Sequence, residues 1–291
     1  MVFYLGIDAG GSHCRARLVD AAGAVLGTGE SGPANARIGI ERLHAVLAET
    51  AEQAVRAAGL SGGAQIQAGM GIAGISRLGI RDQLAALDFP FASVAFETDA
   101  VIANIGAHLG GDGATLIIGT GSVAQVRVEG RRFAIGGYGF PISDEGSGAA
   151  LGLSAMRHAL RALDGRTSRT PLSSAVTERF GHDTARAIAW MDAATPRDYA
   201  AFAPLVVEYA EAGDAIARSI VEDAALHIER FIETIFERGA PACALAGGLA
   251  PRMKPWLRAR TVARLREPLG DPLDGALLLA GLPVAVLGPR P

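Results

Sequence analysis

The stretch Leu5-Gly-Ile-Asp-Ala-Gly-Gly-Ser12 decides the fold of this chain. Apolar residues alternate with their neighbours over residues 2–7, which predicts a strand, and the pair Gly10-Gly11 ends it. A second strand is predicted at residues 16–19, and a third begins after a turn at residues 21–23. The segment therefore predicts a β-meander whose first corner is a glycine turn.

The same pattern recurs at residues 115–136. Predicted strands at residues 115–118 and 123–128 flank the turn Gly119-Thr-Gly-Ser122, and a third strand follows at residues 132–135. The recurrence predicts two related α/β domains whose glycine turns face each other across a cleft. Clefts between domains are favoured sites for small ligands.

The rest of the chain is mostly helical in its periodicity, with short extended runs between the helices. Helices are predicted at residues 40–58, 100–109, 148–163, 171–180, 199–212, 214–238 and 274–281, and strands at residues 66–72, 93–96 and 242–246.

Both glycine turns have the composition of a phosphate-binding loop. Backbone N–H groups reach phosphate oxygens where no Cβ obstructs them, and Ser or Thr hydroxyls add further donors. An ordinary hairpin turn is the alternative for either loop alone, and their repetition favours phosphate binding. Neither loop is a P-loop or a dinucleotide fingerprint, because the Gly-Lys-Ser/Thr ending is missing and a strand follows. The predicted phosphate-binding residues are Gly10, Gly11, Ser12, Thr120, Gly121 and Ser122.

Two aspartates stand at predicted strand ends. Asp8 is suited to hold Mg²⁺, through water because Mg²⁺ keeps several waters, and the alternative is a carboxylate that caps the turn. Asp99 precedes a helix at the sheet edge where α/β proteins place ligands, so it is a candidate base for a hydroxyl acceptor. A helix N-cap is an equally good role for Asp99 from its position. Glu97 is the rival base, although alternation places it on the opposite face of the strand.

Composition narrows the partners. The 291 residues suit two domains, and the net charge of −3 with Lys254 as the single lysine disfavours nucleic acid. Cys14 and Cys243 form no CxxC pair, which fits a reducing compartment. The amino-terminal residues lack the basic region of a signal peptide, and the late apolar segment is too short for a membrane span. We therefore expect a cytoplasmic protein that does not bind membranes.

The motifs keep one order along nearly the whole chain. They are Gly6-Ile-Asp-Ala-Gly-Gly-Ser12, Cys14-Arg-Ala-Arg17, Ser31-Gly-Pro-Ala-Asn35, Thr98-Asp99, Gly119-Thr-Gly-Ser122, Gly136-Gly-Tyr-Gly139, Asp144-Glu-Gly-Ser-Gly148, Thr195-Pro-Arg-Asp-Tyr199, Ala246-Gly-Gly248 and Asp274-Gly-Ala276. Together they resemble the BadF/BadG/BcrA/BcrD group of the actin-like ATPase superfamily, which includes the N-acetylglucosamine and bacterial glucosamine kinases. The Asp-Glu-Gly-Ser-Gly run is the most specific of these motifs.

The resemblance implies an α/β fold of two actin-like (ribonuclease H-like) domains with a nucleotide cleft between them. The first domain would span residues 1–106 and be completed by a carboxyl-terminal helix at residues 275–291. The second would span residues 107–274 and carry a helical insertion. The implied ligands are ATP, Mg²⁺ and an amino sugar, and the implied assembly is a possible homodimer.

The resemblance also implies roles for individual residues. Asp99 would be the base for the sugar 6-hydroxyl, and the two glycine turns would hold the ATP phosphates. The residues implied for the sugar are Asn35, Asp99, Gly137, Tyr138 and Asp144, and those for adenosine are Gly247 and Gly248. Sugar recognition by such directional polar groups penalises a mismatched hydroxyl strongly.

The sequence departs from the group at two positions. His13 stands where the phosphate loop often carries Thr, Ser or Lys, and Tyr138 replaces a Trp of some relatives. The resemblance favours a D-glucosamine 6-kinase, with the same reaction on N-acetylglucosamine as the nearest alternative. A BadF-type activator ATPase is disfavoured because neither cysteine lies in a Gly-Cys loop, and a sugar-sensing regulator because no DNA-binding helix-turn-helix is appended.

Overall fold

A computed structural model describes residues 1–60 and 64–287. The chain divides into two compact units, Met1–Thr115 with Glu267–Pro291, and Leu116–Arg266. The sequence places the first boundary after residue 106 and the return to the first domain at residue 275. The structure therefore assigns to the first unit both the start of one strand and the segment that leads into the last helix.

The first unit begins with the predicted meander and returns to it with the last helix of the chain. Its elements in order are β1 (Val2–Ala9), β2 (Cys14–Val19), β3 (Val25–Ser31), a 3₁₀ turn (Ala36–Ile38), α1 (Ile40–Ala57), β4 (Gln65–Ile72), α2 (Ile80–Ala85), β5 (Ser93–Glu97) and α3 (Asp99–Ala107). The last helix of the chain, α12 (Pro272–Leu279), also belongs to this unit.

These strands form one sheet in the order β3-β2-β1-β4-β5. The meander pairs antiparallel, whereas β1 with β4 and β4 with β5 pair parallel. Because side chains alternate along a strand, Leu5 and Ile7 face one side of β1 and Gly6 and Asp8 face the other. Leu5 and Ile7 are fully buried in the core that includes Leu43 of α1.

Glycines in the strands let helices approach both faces of this sheet. An added Cβ at Gly27 of β3 would collide with the carbonyl oxygen of Ala54 in α1. On the other face, an added Cβ at Gly69 of β4 would collide with the carbonyl oxygen of Ala276 in α12. The sheet is therefore a middle layer between α1 and α12, and the face of Asp8 is the α12 face.

The second unit carries the second meander and a helical insertion. Its elements are β6 (Gly113–Ile118), which crosses the unit boundary, β7 (Ser122–Val128), β8 (Arg131–Gly136), α4 (Gly148–Leu163), α5 (Pro171–Glu178), α6 (Thr184–Ala193), α7 (Pro196–Ala200), α8 (Ala203–Glu211), α9 (Ala215–Glu237), β9 (Cys243–Ala246), α10 (Ala250–Met253) and α11 (Ala259–Val262). The strands form a sheet in the order β8-β7-β6-β9.

Most predicted elements are confirmed, and the differences lie in the helical insertion, at the carboxyl-terminal helix and at α2, which was not predicted. The predicted helix at residues 199–212 is wrong in its continuity, because α7 ends at Ala200 and α8 starts at Ala203. Helix α6 was not predicted from the periodicity of the sequence. The carboxyl-terminal helix predicted for residues 275–291 ends at Leu279, a 3₁₀ turn follows at Val284–Val286, and residues 288–291 lie outside the described residues.

Candidate active site

The carboxyl ends of the parallel strands in the first unit place two aspartates at one sheet edge. Asp8 of β1 is aligned with Gly71 of β4, and Gly71 is aligned with Glu97 of β5. Asp99 follows Glu97 by two residues and opens α3. Ligands of α/β proteins bind outside this edge of a sheet.

Asp99 is not the cap of its helix. The N-cap of α3 is Thr98, whose hydroxyl accepts the backbone N–H of Val101 at 3.0 Å. Burial raises the pKa of Asp99 to about 6, and the negative charge of Asp8 adds to the rise. A carboxyl group with this pKa is ionised at neutral pH and is a stronger base than an ordinary aspartate.

Asp8 forms an ion pair with the residue directly across the hairpin. Arg15 of β2 is its register partner, and the guanidinium Nη2 lies 2.7 Å from Asp8 Oδ2. The Asp8 side chain is 15% exposed and that of Arg15 is 48% exposed. The predicted alternative, a carboxylate that caps the turn, does not describe this contact.

The first glycine turn uses only part of its backbone internally. The N–H of Gly10 donates to the His13 carbonyl at 2.9 Å, and the Gly10 carbonyl accepts from Ala34 N at 3.0 Å. Gly11 and Ser12 are exposed. The imidazole of His13 is also exposed, with Nδ1 3.7 Å from a Glu30 carboxylate oxygen, which is the arrangement of a solvated loop histidine.

Asn35 joins the edge that carries Asp8 and Asp99. It forms an isolated parallel bridge with Ala73, immediately after β4, and the N–H of Ala36 donates to the Ala73 carbonyl at 2.9 Å. The Asn35 Oδ1 accepts the N–H of Arg37 at 3.0 Å, which makes Asn35 the N-cap of the 3₁₀ turn. The amide oxygen is thus engaged locally, and the carboxamide N–H₂ is the part suited to a ligand.

The second glycine turn is attached to the amino terminus of α4. The N–H groups of Gly148 and Ala149 donate to the carbonyls of Gly119 and Thr120 at 2.8 and 3.1 Å. Ser122 is buried, and its hydroxyl donates to the Glu145 carbonyl at 2.7 Å. The sequence assigned this hydroxyl to phosphate, whereas the structure uses it to hold the 143–147 loop, because the side chain points into the protein. Thr120 is exposed.

Asp144 also has a role within the second unit. Its backbone is in the left-handed region with φ of 69°. The carboxylate accepts backbone N–H groups of Ser122, Phe140 and Gly139, while burial raises its pKa above the usual value. An added Cβ at Gly121 would lie 2.8 Å from Asp144 Oδ2, so this carboxylate rests against the glycine turn. The sugar contact implied for Asp144 stays a prediction.

The four remaining predicted residues lie at two strand ends of the second unit. Gly137 follows β8 with φ of 73°, and Tyr138 beside it is 85% exposed. Gly247 follows β9 with φ of 92°, and an added Cβ there would lie 2.4 Å from the Ile118 carbonyl oxygen in the end of β6. Gly248 is exposed, and an added Cβ there meets nothing within 4 Å.

Three of the predicted loop glycines are unexplained by the packing of the chain itself. At Gly11, Gly119 and Gly248 an added Cβ meets nothing within 4 Å, and none of the three has a left-handed φ. Glycine at these positions leaves room for a ligand that approaches the backbone closely, as nucleotide phosphates do. Each loop taken by itself is therefore compatible with a bound phosphate group.

Mg²⁺ fits the site through one carboxylate rather than a protein cage. Within residues 1–60 and 64–287, no group of three or more His, Cys, Asp or Glu is arranged to hold a metal ion. Mg²⁺ in phosphoryl-transfer sites is bound by one or two carboxylates together with substrate phosphates and waters. Asp8 supplies such a carboxylate beside the first glycine turn.

Sequence reasoning missed two features of this edge, the capping role of Thr98 and the ion pair of Arg15 with Asp8. Thr98 and Asp99 are both good caps, and propensity does not choose between neighbours. Arg15 carries a signal that was available, because counting across the turn at residues 10–13 pairs it with Asp8.

Comparisons with known proteins identify the family to which the chain belongs. The model of the BadF/BadG/BcrA/BcrD ATPase family matches residues 5–280, and the chain belongs to this family. It is 37% identical to the glucosamine kinase GspK of Vibrio cholerae, over 97% of each chain. It is 27% identical to an N-acetylmuramic acid/N-acetylglucosamine kinase of Clostridium acetobutylicum, over 81% of this chain and 80% of that one.

Solved structures agree with this assignment. A crystal structure from Chromobacterium violaceum, described as a candidate N-acetylglucosamine kinase, matches with a TM-score of 0.90 and 33% identity over 96% of this chain and 98% of that chain. The two units are therefore actin-like α/β domains. No helix in the described ranges combines the length and apolarity that a membrane span requires.

Proposed function

We propose that this protein is an ATP-dependent amino-sugar kinase that converts ATP and D-glucosamine to ADP and glucosamine 6-phosphate. The observation that carries the proposal is Asp99, a carboxylate of raised pKa at the ligand-binding edge of the sheet, outside the cap of its own helix. Similarity to glucosamine kinase GspK over 97% of each chain supports the choice of acceptor.

In this reaction the 6-hydroxyl oxygen attacks the γ-phosphorus, the bond to the leaving oxygen of ADP breaks, and Asp99 accepts the hydroxyl proton. Phosphoryl transfer of this kind depends mainly on positioning and charge neutralisation. Asn35 donates to a sugar hydroxyl through its carboxamide, and Gly137, Tyr138 and Asp144 are further proposed sugar contacts. Mg²⁺, held by Asp8 and the phosphates, would neutralise charge on the transferred group.

The nucleotide is assigned to the loops that the glycines define. Gly10, Gly11, Ser12, Thr120, Gly121 and Ser122 belong to the proposed phosphate loops, in which Gly11, Ser12, Thr120 and the backbone of Gly119 are the exposed or open positions. Gly247 and Gly248 are proposed to pack against adenosine. Within this set, Ser122 donates its hydroxyl to the Glu145 carbonyl and Gly121 lies against the Asp144 carboxylate, so both residues hold the loop in place.

N-acetylglucosamine is the second candidate acceptor. The relative from Clostridium acetobutylicum and the Chromobacterium violaceum structure are both described as kinases of this sugar. Tyr138, which is exposed, is proposed to shape the pocket for the 2-substituent of the sugar. An iron–sulfur activator is disfavoured, because Cys14 and Cys243 are both buried and neither lies in a Gly-Cys loop.

The cellular compartment and the oligomeric state of the protein are also proposals. The free thiols of Cys14 and Cys243 and the use of ATP favour the cytoplasm. A homodimer is proposed through the alanine-rich helices between residues 149 and 238.

The experiment is a coupled ADP-release assay with glucosamine, N-acetylglucosamine, glucose and N-acetylmannosamine, followed by phosphorus NMR of the product. We expect glucosamine to give the highest kcat/KM and a 6-phosphate product. A preference for N-acetylglucosamine would select the second candidate. ATP turnover that no sugar stimulates would contradict the kinase.

A further inference from the structure

A row of alternating charges crosses the meander beside the first glycine turn. Asp8 of β1, Arg15 of β2 and Glu30 of β3 are aligned in adjacent strands. Of the two carboxylates, the more buried one, Asp8, forms the short contact, with Oδ2 2.7 Å from the guanidinium of Arg15. Opposite charges in register stabilise a sheet only modestly, so the position of this row is more informative than its strength.

The Asp8 carboxylate already has one cation beside it, because Arg15 Nη2 lies 2.7 Å from its Oδ2 and the Asp8 side chain is only 15% exposed. Arg15 supplies one positive charge at Asp8 Oδ2. Mg²⁺ would supply two positive charges at the same carboxylate. Asp8 Oδ2 cannot make its strongest contact with Arg15 and with Mg²⁺ at the same time.

Two features of Arg15 suit it to a second anion as well as to Asp8. It is 48% exposed, and its strand position comes two residues after His13, at the end of the glycine turn. Its planar fork matches phosphate oxygens as well as it matches a carboxylate. His13 is less suited to phosphate, because its imidazole faces Glu30 and carries no fixed charge.

We propose that Arg15 and Mg²⁺ compete for Asp8, and that the guanidinium displaced by the metal binds a phosphate of ATP. This inference rests on the proposed kinase function. Arg15 thereby supplies a permanently charged cation next to the first glycine turn. The exchange gives the site a way to take up metal and nucleotide together, since each removes a cost of binding the other.

The test uses the full chain with Mn²⁺ as a paramagnetic probe for Mg²⁺. Arg15→Met removes the charge and keeps the stem, and Arg15→Lys keeps the charge without the fork. Arg56→Met is the matched control, because Arg56 forms an exposed pair with Glu52 at 2.7 Å on α1. Electron paramagnetic resonance measures free Mn²⁺ binding, and calorimetry measures binding of Mn²⁺ with a non-hydrolysable ATP analogue.

We expect Arg15→Met to bind free Mn²⁺ at least about tenfold more tightly than wild type, and the metal–nucleotide complex at least about tenfold more weakly. Arg15→Lys should fall between them, and it replaces Arg15→Met if that variant does not fold. Unchanged affinities in the Arg15 variants would overturn the inference. Weaker binding of both free Mn²⁺ and the metal–nucleotide complex would also overturn it, because that result means that Arg15 only positions Asp8. If wild type and Arg56→Met neither bind nucleotide nor release ADP with any sugar, the proposed function itself fails.

Discussion

The hydroxyl of Thr98 accepts the backbone N–H of Val101 at 3.0 Å, and this contact caps α3 one residue before Asp99. Asp99 is thereby left without the helix-capping role that its position allows. Its carboxylate instead lies in a setting where burial and Asp8 raise its pKa to about 6. A raised pKa at a ligand-binding edge is the pattern expected of a catalytic base rather than of a structural carboxylate.

Removal of this base should abolish phosphoryl transfer and spare nucleotide binding. We expect Asp99→Asn to lower kcat by a factor of about 100 or more, because proton acceptance is lost. ATP affinity, measured by calorimetry, should change by less than about twofold, since the change removes no group assigned to the nucleotide. In wild type, kcat/KM for the sugar should fall as pH drops through about 6, where Asp99 becomes protonated. A variant that keeps more than about a tenth of kcat would exclude Asp99 as the base.

The same substitution should stabilise the fold at neutral pH. Because the folded pKa is about 6 and the reference value 3.8, the folded state holds the proton more tightly, and ionisation of Asp99 costs stability above that range. The cost grows from pH 4 to pH 6 and is complete above it, with an upper limit of about 3 kcal/mol. Urea unfolding of Asp99→Asn and wild type should therefore differ at pH 7.5 and converge at pH 4. The exposed Asp88→Asn is the control, and an equal gain in that variant would contradict the argument.

Much of the first unit could be predicted because its signals are local. The Gly10-Gly11 turn and the alternation over residues 2–7 are read within a few residues of each other. The pairing of Asp8 with Arg15 depends on hairpin register, and the bond from Ser122 to the Glu145 carbonyl spans 23 residues. Neither relation is visible in composition, and the second reassigns a hydroxyl that the motif alone gives to phosphate.

The insertion was harder to predict for a tertiary reason. Between α7 and α8 the chain turns at Phe202, which is 2% exposed and lies 5.7 Å from Trp190 of α6 between ring centroids. Apolar residues continue at helical spacing through the break, so periodicity predicts one helix. Pro204 in the first turn of α8 was the local signal of a new helix start.

A substitution at Asn35 tests whether this residue belongs to the sugar site and not to the nucleotide site. Asn35→Ser keeps a side-chain oxygen that can accept the Arg37 N–H and loses the carboxamide donor. We expect the KM for glucosamine to rise at least about tenfold while the KM for ATP stays within about twofold. Steady-state kinetics with each substrate varied in turn measures both, and equal effects on the two would remove Asn35 from the sugar site.

Adjacent glycines at the end of β9 should respond differently to the same change. Gly247→Ala places a side chain against the Ile118 carbonyl at φ of 92°, so it should lose about 1–3 kcal/mol of stability. Gly248→Ala meets nothing in the protein and should leave the melting temperature unchanged. If adenosine occupies that space, Gly248→Ala weakens ATP binding by about tenfold. Unchanged ATP affinity in a folded Gly248→Ala would remove it from the nucleotide site.

Arg17 anchors α12 to the meander on the face of the sheet that carries Asp8. Its guanidinium lies 2.6 Å from Asp271 Oδ2 and 2.8 Å from Asp274 Oδ1, and the Asp274 side chain is 2% exposed. Asp271 and Asp274 also form the capping box of α12, so the pair fixes both the start of the helix and its place. Arg17→Met removes the guanidinium that contacts the buried Asp274 carboxylate and should cost about 3 kcal/mol in urea unfolding. Arg56→Met, which removes an exposed pair, should change little. Equal losses in the two variants would contradict the prediction that the ion pair of Arg17 with buried Asp274 stabilises the fold more than an exposed pair does.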